Sequence, residues 1–226
     1  MAEIVVALDL PSAGAALTLV DSLPGLSWVK LGPTLFIAGG TSLIDQLKGR
    51  NLRVFLDLKW HDIPHQVAGA AASAAAAGVD LATVHTLGGV EMMRAAREAA
   101  GEMRVVGVTV LTSHSAESYG RALGRTSEVH MAAEVGRLAR EAMSAGLHGV
   151  VASPLEIETV RPIVGSSGWI VVPGIRPAGS DVGDQQRTAQ PQVAVRAGAT
   201  HLVVGRPITE AREPRAAYER LCEALL

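Results

Sequence analysis

The chain has 226 residues, 48% of them hydrophobic and 19% charged, with a formal net charge of −2. That length buries a substantial core in one large domain or two small ones, and the composition is that of a soluble globular protein. The near-neutral balance argues against a basic nucleic-acid-binding surface or an acidic tail, and the single cysteine, Cys222, excludes a disulfide framework and a cysteine-based metal site.

The first residues, MAEIVVALDL, carry no basic region ahead of an apolar run that is too short for a secretion signal. No apolar stretch reaches membrane-spanning length, so a cytoplasmic protein with neither membrane nor nucleic-acid partners is expected. Short β-branched runs then recur in order: EIVVALD, WVKLG, VFLDLK, LATVHT, RVVGVTVL, GVVAS, WIVVPGI and HLVVGR. Most are nearly continuous in apolar character, as expected of strands covered on both faces. Between them lie helical stretches such as SAGAALTLVDSL and HMAAEVGRLAREAMSAG. The Ala-rich VAGAAASAAAAG also reads as a helix, one whose small side chains pack close to the strands. This alternation predicts a (β/α)8 TIM barrel, an α/β fold, in a chain slightly shorter than the typical ~250 residues. A doubly wound open sheet is the competing architecture, but ALDLPSAGAA lacks the glycine fingerprint expected after its first strand. Nothing resembles an interdomain linker, so residues 1–226 are expected to form one domain.

In FLDLKWHDIPHQV, residues 55–67, the period of two puts Phe55, Asp57 and Lys59 on one face and Leu56 and Leu58 on the other. The leucines suit the helix-facing side, which sends Asp57 and Lys59 into the barrel mouth, where barrel enzymes keep their chemistry. Taken alone, the pair reads equally as a structural ion pair or as part of a site. Asp9 and Lys30, at the ends of the first two runs, deliver further charges to the same rim and favour a site. His61 and His65 superficially suggest zinc, but Pro64 between them would break the helix needed to present both. Residues 112–130 and 174–190 are long connections after the fifth and seventh runs, either site-covering loops or plain surface. Gly205 and Arg206 end the eighth run where barrels commonly hold phosphate, with Arg176 and Gln185 in the loop before it. A phosphorylated small-molecule substrate is the expectation. His85 reads as mouth-lining or structural, and His130, His148 and His201 as surface or capping residues in or beside helices.

The segments ALD, VKLG, LDLKWHDIP, VTVLTS, PGIRP, GDQQR and GRPIT, in this order from Asp9 to Thr209, together resemble the orotidine 5′-phosphate decarboxylase family in its bacterial form. The resemblance implies decarboxylation of orotidine 5′-phosphate to uridine 5′-phosphate without cofactor or metal, in a homodimer with shared active sites. It implies a catalytic array of Lys30, Asp57, Lys59 and Asp62, the last serving the partner's site, with Lys59 as the proton donor. It further implies ribose contacts from Asp9 and Lys30, pyrimidine contacts from Thr112 and Ser113, and a pocket wall from Pro173. Ile63 and Gln66 follow Asp62 into the substrate-binding set, and Arg176, Gln185, Gly205 and Arg206 would hold the phosphate.

One departure stands out: bacterial members usually have Asn-Thr after Asp-Ile-Pro, whereas this chain has His65 and Gln66, which puts the threonine's ribose contact in doubt. Trp60 replaces a frequent phenylalanine and reads as packing. Within the same superfamily, the rival is a sugar-phosphate decarboxylase or aldolase that shares D-x-K-x-x-D but uses Mg²⁺. Those relatives carry an acidic ligand where this chain has Lys30. A catalytically silent nucleotide-binding barrel is the remaining alternative, and the intact Asp57, Lys59 and Asp62 set argues against it.

Overall fold

The structure, a computed structural model, describes residues 2–176 and 187–225. Strands and helices alternate in the order β1 (Glu3–Ala7), α1 (Ala13–Ser22), β2 (Trp28–Leu31), α2 (Pro33–Lys48), β3 (Arg53–Trp60), α3 (Pro64–Ala76), β4 (Leu81–His85) and α4 (Gly89–Ala99). There follow β5 (Arg104–Val108), α5 (Ala116–Ala122), α6 (Met131–Ser144), β6 (Gly149–Val151), α7 (Ile157–Val164), β7 (Trp169–Val172), α8 (Pro191–Ala197), β8 (His201–Val204), α9 (Arg206–Thr209) and α10 (Pro214–Glu223). The strands pair in parallel and in sequence order, and β8 pairs back onto β1, so the sheet closes as the expected TIM barrel.

The two-sided burial of the strands gives two apolar clusters. Ile4, Val6, Val29, Val54 and Leu56 face the helices in the larger one. Val5, Ala7, Trp28, Phe55, Leu81, Val106, Val171 and Val203 fill the barrel interior. Adjacent positions along one strand thus serve opposite cores, which is why these segments show no polar alternation. Capping follows the local chemistry: Ser12 accepts a hydrogen bond from the Ala15 N–H at 3.2 Å to start α1, and Pro33 and Pro64 occupy first-turn positions of α2 and α3. Gly149, at φ 154°, lets β6 approach β7 closely, since a Cβ there would lie 1.9 Å from the Trp169 carbonyl oxygen.

At the N-terminal end of the strands, aromatic rings close the barrel. Trp169 and His201 have centroids 4.3 Å apart, Trp28 meets His201 edge-on at 5.4 Å, and the Arg53 guanidinium lies 4.7 Å over the Trp28 ring. His201 is therefore not a capping or surface residue but a buried member of β8, and burial lowers its pKa to about 4. His148 is half-buried and accepts a hydrogen bond from the Val105 N–H at 3.0 Å, so it too has an internal partner. His130 does cap, at the start of α6. The connection over residues 112–130 is less irregular than its composition suggests. It contains α5, begun by a capping box between Ser115 and Ser118, and Glu134 of α6 ties it down by accepting hydrogen bonds from Tyr119 and Arg125.

Candidate active site

Three strands bring the charges together at the C-terminal mouth. The Lys30 ammonium, on a nearly buried side chain at the end of β2, lies 3.1 Å from Asp9 Oδ1 and 3.6 Å from Asp57 Oδ2. Asp57 Oδ1 in turn accepts from the Lys59 ammonium at 2.9 Å. The result is a row of alternating sign, Asp9, Lys30, Asp57, Lys59, in which each interior charge faces opposite charges on both sides, the condition under which such groups tolerate burial. Gly32 makes room for it: a Cβ there would sit 3.1 Å from Asp9 Oδ1 and 3.4 Å from Lys30 Nζ.

Lys59 reaches this row through an irregular backbone. Leu56 pairs with Ala82 and Trp60 with Val84, so β3 spends more residues than β4 between the two registers. Within this bulge Lys59 adopts φ 51°, a left-handed conformation rare for a side chain of this kind. The period-of-two expectation holds for Phe55 and Leu56, which enter the inner and outer cores. The bulge then lets Asp57 and Lys59 meet across one short ion pair while Trp60 returns to the helix-facing side. Thr83 of β4 fills the bulge and is fully buried; its hydroxyl accepts from the Lys59 N–H at 2.9 Å and donates to Asp57 Oδ1 at 3.0 Å.

A cavity of about 390 Å³ opens on the row. Its lining unites Asp9, Lys30, Asp57 and Lys59 with Thr112, Pro173, Arg176, Gly205 and Arg206, all expected from the sequence. Arg176 and Arg206 follow β7 and β8 and, with Glu210, line the side of the cavity across from the charged row. Phe55, Val108, Val151, Val171 and Val203 supply its apolar floor. Such a cavity suits a ligand with a flat ring at one end and an anion at the other.

The remaining expected residues fall elsewhere. Ser113 is not part of the cavity lining, and Gln185 lies outside the described residues. Asp62, Ile63 and Gln66 are exposed beyond the end of β3, outside the lining, and Asp62 accepts a hydrogen bond from the adjacent Ile63 N–H at 2.6 Å. His61 and His65 sit on different elements, His61 before α3 and His65 within its first turn, and His61 stacks instead on His85 at 5.6 Å. His85 is outside the lining. Burial, aided by the charges of His61, Lys59 and His114, lowers its pKa to about 4, so near neutrality it adds no positive charge beside Lys59.

Two residues with no assigned part in the sequence reading support the mouth. Thr83 is one. The other is Arg187, which donates to Glu156 and to the carbonyls of Leu111 at 2.8 Å and Val110 at 3.3 Å. Glu156 also accepts from the Ser153 N–H at 3.0 Å, so the ends of β5 and β6 are tied to the chain just before α8. The signal for Arg187 was the arginine closing GDQQR; its partner Glu156 is 31 positions away and had none.

The sequence profile of the Orotidine 5'-phosphate decarboxylase / HUMPS family matches residues 2–221. A relative named orotidine 5′-phosphate decarboxylase, from Alkalilimnicola ehrlichii, is 51% identical over 97% of this chain and 94% of its own. Another of the same name, from Halorhodospira halophila, is 48% identical over 95% of this chain and 92% of its own. Among solved structures, orotidine 5′-phosphate decarboxylase from Lactobacillus acidophilus matches with a TM-score of 0.86 and 34% identity, covering 99% of this chain and 98% of the other.

Proposed function

The chain belongs to the orotidine 5′-phosphate decarboxylase / HUMPS family, and from that premise we propose that it converts orotidine 5′-phosphate to uridine 5′-phosphate and CO2, the closing step of pyrimidine nucleotide synthesis. The observation that carries the reading is the alternating row Asp9, Lys30, Asp57, Lys59 on one side of a cavity whose other side holds Arg176 and Arg206.

In the reaction, the bond between C6 and the carboxylate breaks, its electron pair stays on C6, and CO2 departs. An ammonium fixed beside C6 stabilises that pair electrostatically and then hands it a proton. Lys59 takes this role, since its ammonium is held at the cavity wall by Asp57 rather than free to swing. The neutral lysine regains its proton from solvent. Asp57 holds Lys59 and lies against the substrate carboxylate, while Asp9 and Lys30 bind ribose hydroxyls. Thr112 and Pro173 face the pyrimidine, and Arg176 and Arg206, with Gly205, hold the phosphate. Binding of that remote group supplies energy to organise the reacting end. Lys30 distinguishes this reading from Mg²⁺-using relatives, because an ammonium between two carboxylates occupies the ground that a divalent cation would need.

The working unit is a homodimer in the cytoplasm. Asp62 is exposed outside its own cavity beside Ile63, which is 63% exposed, and these two with Gln66 are what a second copy would cover and use. The test is direct. Purified protein stripped with EDTA should consume orotidine 5′-phosphate, followed by its ultraviolet absorbance, at the untreated rate. Activity that vanishes with the chelator and returns with Mg²⁺ would overturn the proposal.

A further inference from the structure

The bulge in β3 presents a physical problem that one side chain on β4 solves. A lysine at φ 51° is held against its own backbone preference, and the irregular register takes its N–H off the regular ladder. The Lys59 N–H finds the Thr83 hydroxyl at 2.9 Å. A hydroxyl has a single proton, and with the lysine amide donating to it, that proton is directed onward to Asp57 Oδ1, at 3.0 Å. The same oxygen accepts from the Lys59 ammonium at 2.9 Å. Thr83 is therefore bonded to the backbone of Lys59 and to the carboxylate that holds the far end of its side chain.

We infer that Thr83 is a positioning residue for the proposed proton transfer, one that fixes where the Lys59 ammonium stands by clamping the lysine's backbone and its counter-ion at once. The residue itself never meets substrate; it is fully buried and outside the cavity lining. Asp57 gains two donors on Oδ1 while Oδ2 faces Lys30 at 3.6 Å, so the carboxylate plane is set from both sides. Small displacements of a catalytic group are costly to rate, which is where the loss of such a clamp would be felt.

The inference rests on the decarboxylase reading, and the experiment separates the two. Thr83→Val keeps the shape of the side chain and removes the hydroxyl. It should lower kcat roughly ten- to a hundredfold, the range for a hydrogen bond to a charged group. Affinity for uridine 5′-phosphate and KM should stay within about threefold, because Thr83 makes no ligand contact. Thr83→Ser should restore most of the rate. The control is Thr86→Val, a change at an equally buried threonine whose hydroxyl donates to the Val108 carbonyl at 2.8 Å, which should cost stability but not kcat. If Thr83→Val proves insoluble, Thr83→Ser and Thr83→Ala carry the same comparison, since both lack the methyl and only one has the hydroxyl. An unimpaired Thr83→Val, or an equal kcat loss in Thr86→Val, overturns the inference alone. A wild-type protein without turnover overturns the decarboxylase reading and the inference with it.

Discussion

Lys59 is where most of the proposed chemistry converges, so the sharpest expectation concerns its side chain. In Lys59→Ala, kcat should fall by at least about a thousandfold while uridine 5′-phosphate still binds, since the residues proposed to hold phosphate and ribose lie on other elements. Steady-state kinetics alongside ligand titration checks both halves; a variant keeping more than about a tenth of the wild-type rate would mean that another group is the acid. At this scale much could be seen in the sequence. Asp57 and Lys59 stand two apart in a strand whose leucines face the helices, and that pattern points both to the mouth, although the bulge at Lys59 is what lets them meet there. The left-handed backbone at Lys59 was invisible, because such turns are usually announced by glycine, and here a hydrogen bond from another strand substitutes for that freedom. Thr83 was hidden for a related reason: a threonine inside an apolar run reads as an ordinary β-former. His201 was not legible as a core residue: read as lying in or beside a helix, at its surface or cap, it instead opens β8 where the rings of Trp28 and Trp169 bury it.

Among elements, α6 shows how a connection that looked like a loop is fastened. Glu134 accepts from Tyr119, Arg125 and Arg137. Hydrogen bonding from Arg137 outweighs the opposing effect of burial and brings the Glu134 carboxyl down to about 2. A folded-state pKa below the unfolded value means that this contribution is complete above 4.5 and is lost as the pH falls toward 2. Glu134→Gln should lower unfolding stability at neutral pH by about 2 kcal/mol, less than for a fully buried pair because both arginines are partly exposed. Urea titrations should show the gap between variant and wild type closing as the pH drops through that window; a pH-independent gap would mean that Glu134 acts through packing alone. The existence and order of the strands were legible from their β-branched runs, but α5 was not. It is short, and its stability comes from a serine capping box and from Glu134, which lies beyond it in the chain.

For the whole molecule, the question is whether one chain contains a complete site. Asp62 lies outside the cavity that its own Asp57 and Lys59 line, so the proposed dimer would place it in the facing site. Lys59→Ala and Asp62→Ala homodimers should then each be nearly inactive, while refolding the two together should recover activity. In a hybrid dimer both lesions fall in one site and the other is wild type, so random reassortment restores roughly a quarter of all sites. Mixtures in which hybrids form but turnover does not rise would return Asp62 to its own chain. The closed barrel itself followed from the rhythm of the sequence, whereas the proposed division of labour came only from the family resemblance, since spacing along a chain says nothing about which copy a side chain serves.

The aromatic floor beneath the site also governs traffic. Trp28, Trp169 and His201 pack together at the strands' N-terminal end, with Phe55 in the same interior cluster, so the cavity that holds the charged row opens at the opposite, C-terminal end. Under the proposed function, nucleotide and gas would both pass through that rim. In the proposed reaction the small uncharged product carries no charge for the site to grip, whereas the nucleotide would be moored by its phosphate. On that proposal CO2 would leave first, past a passenger still aboard, and the slower departure would belong to the nucleotide.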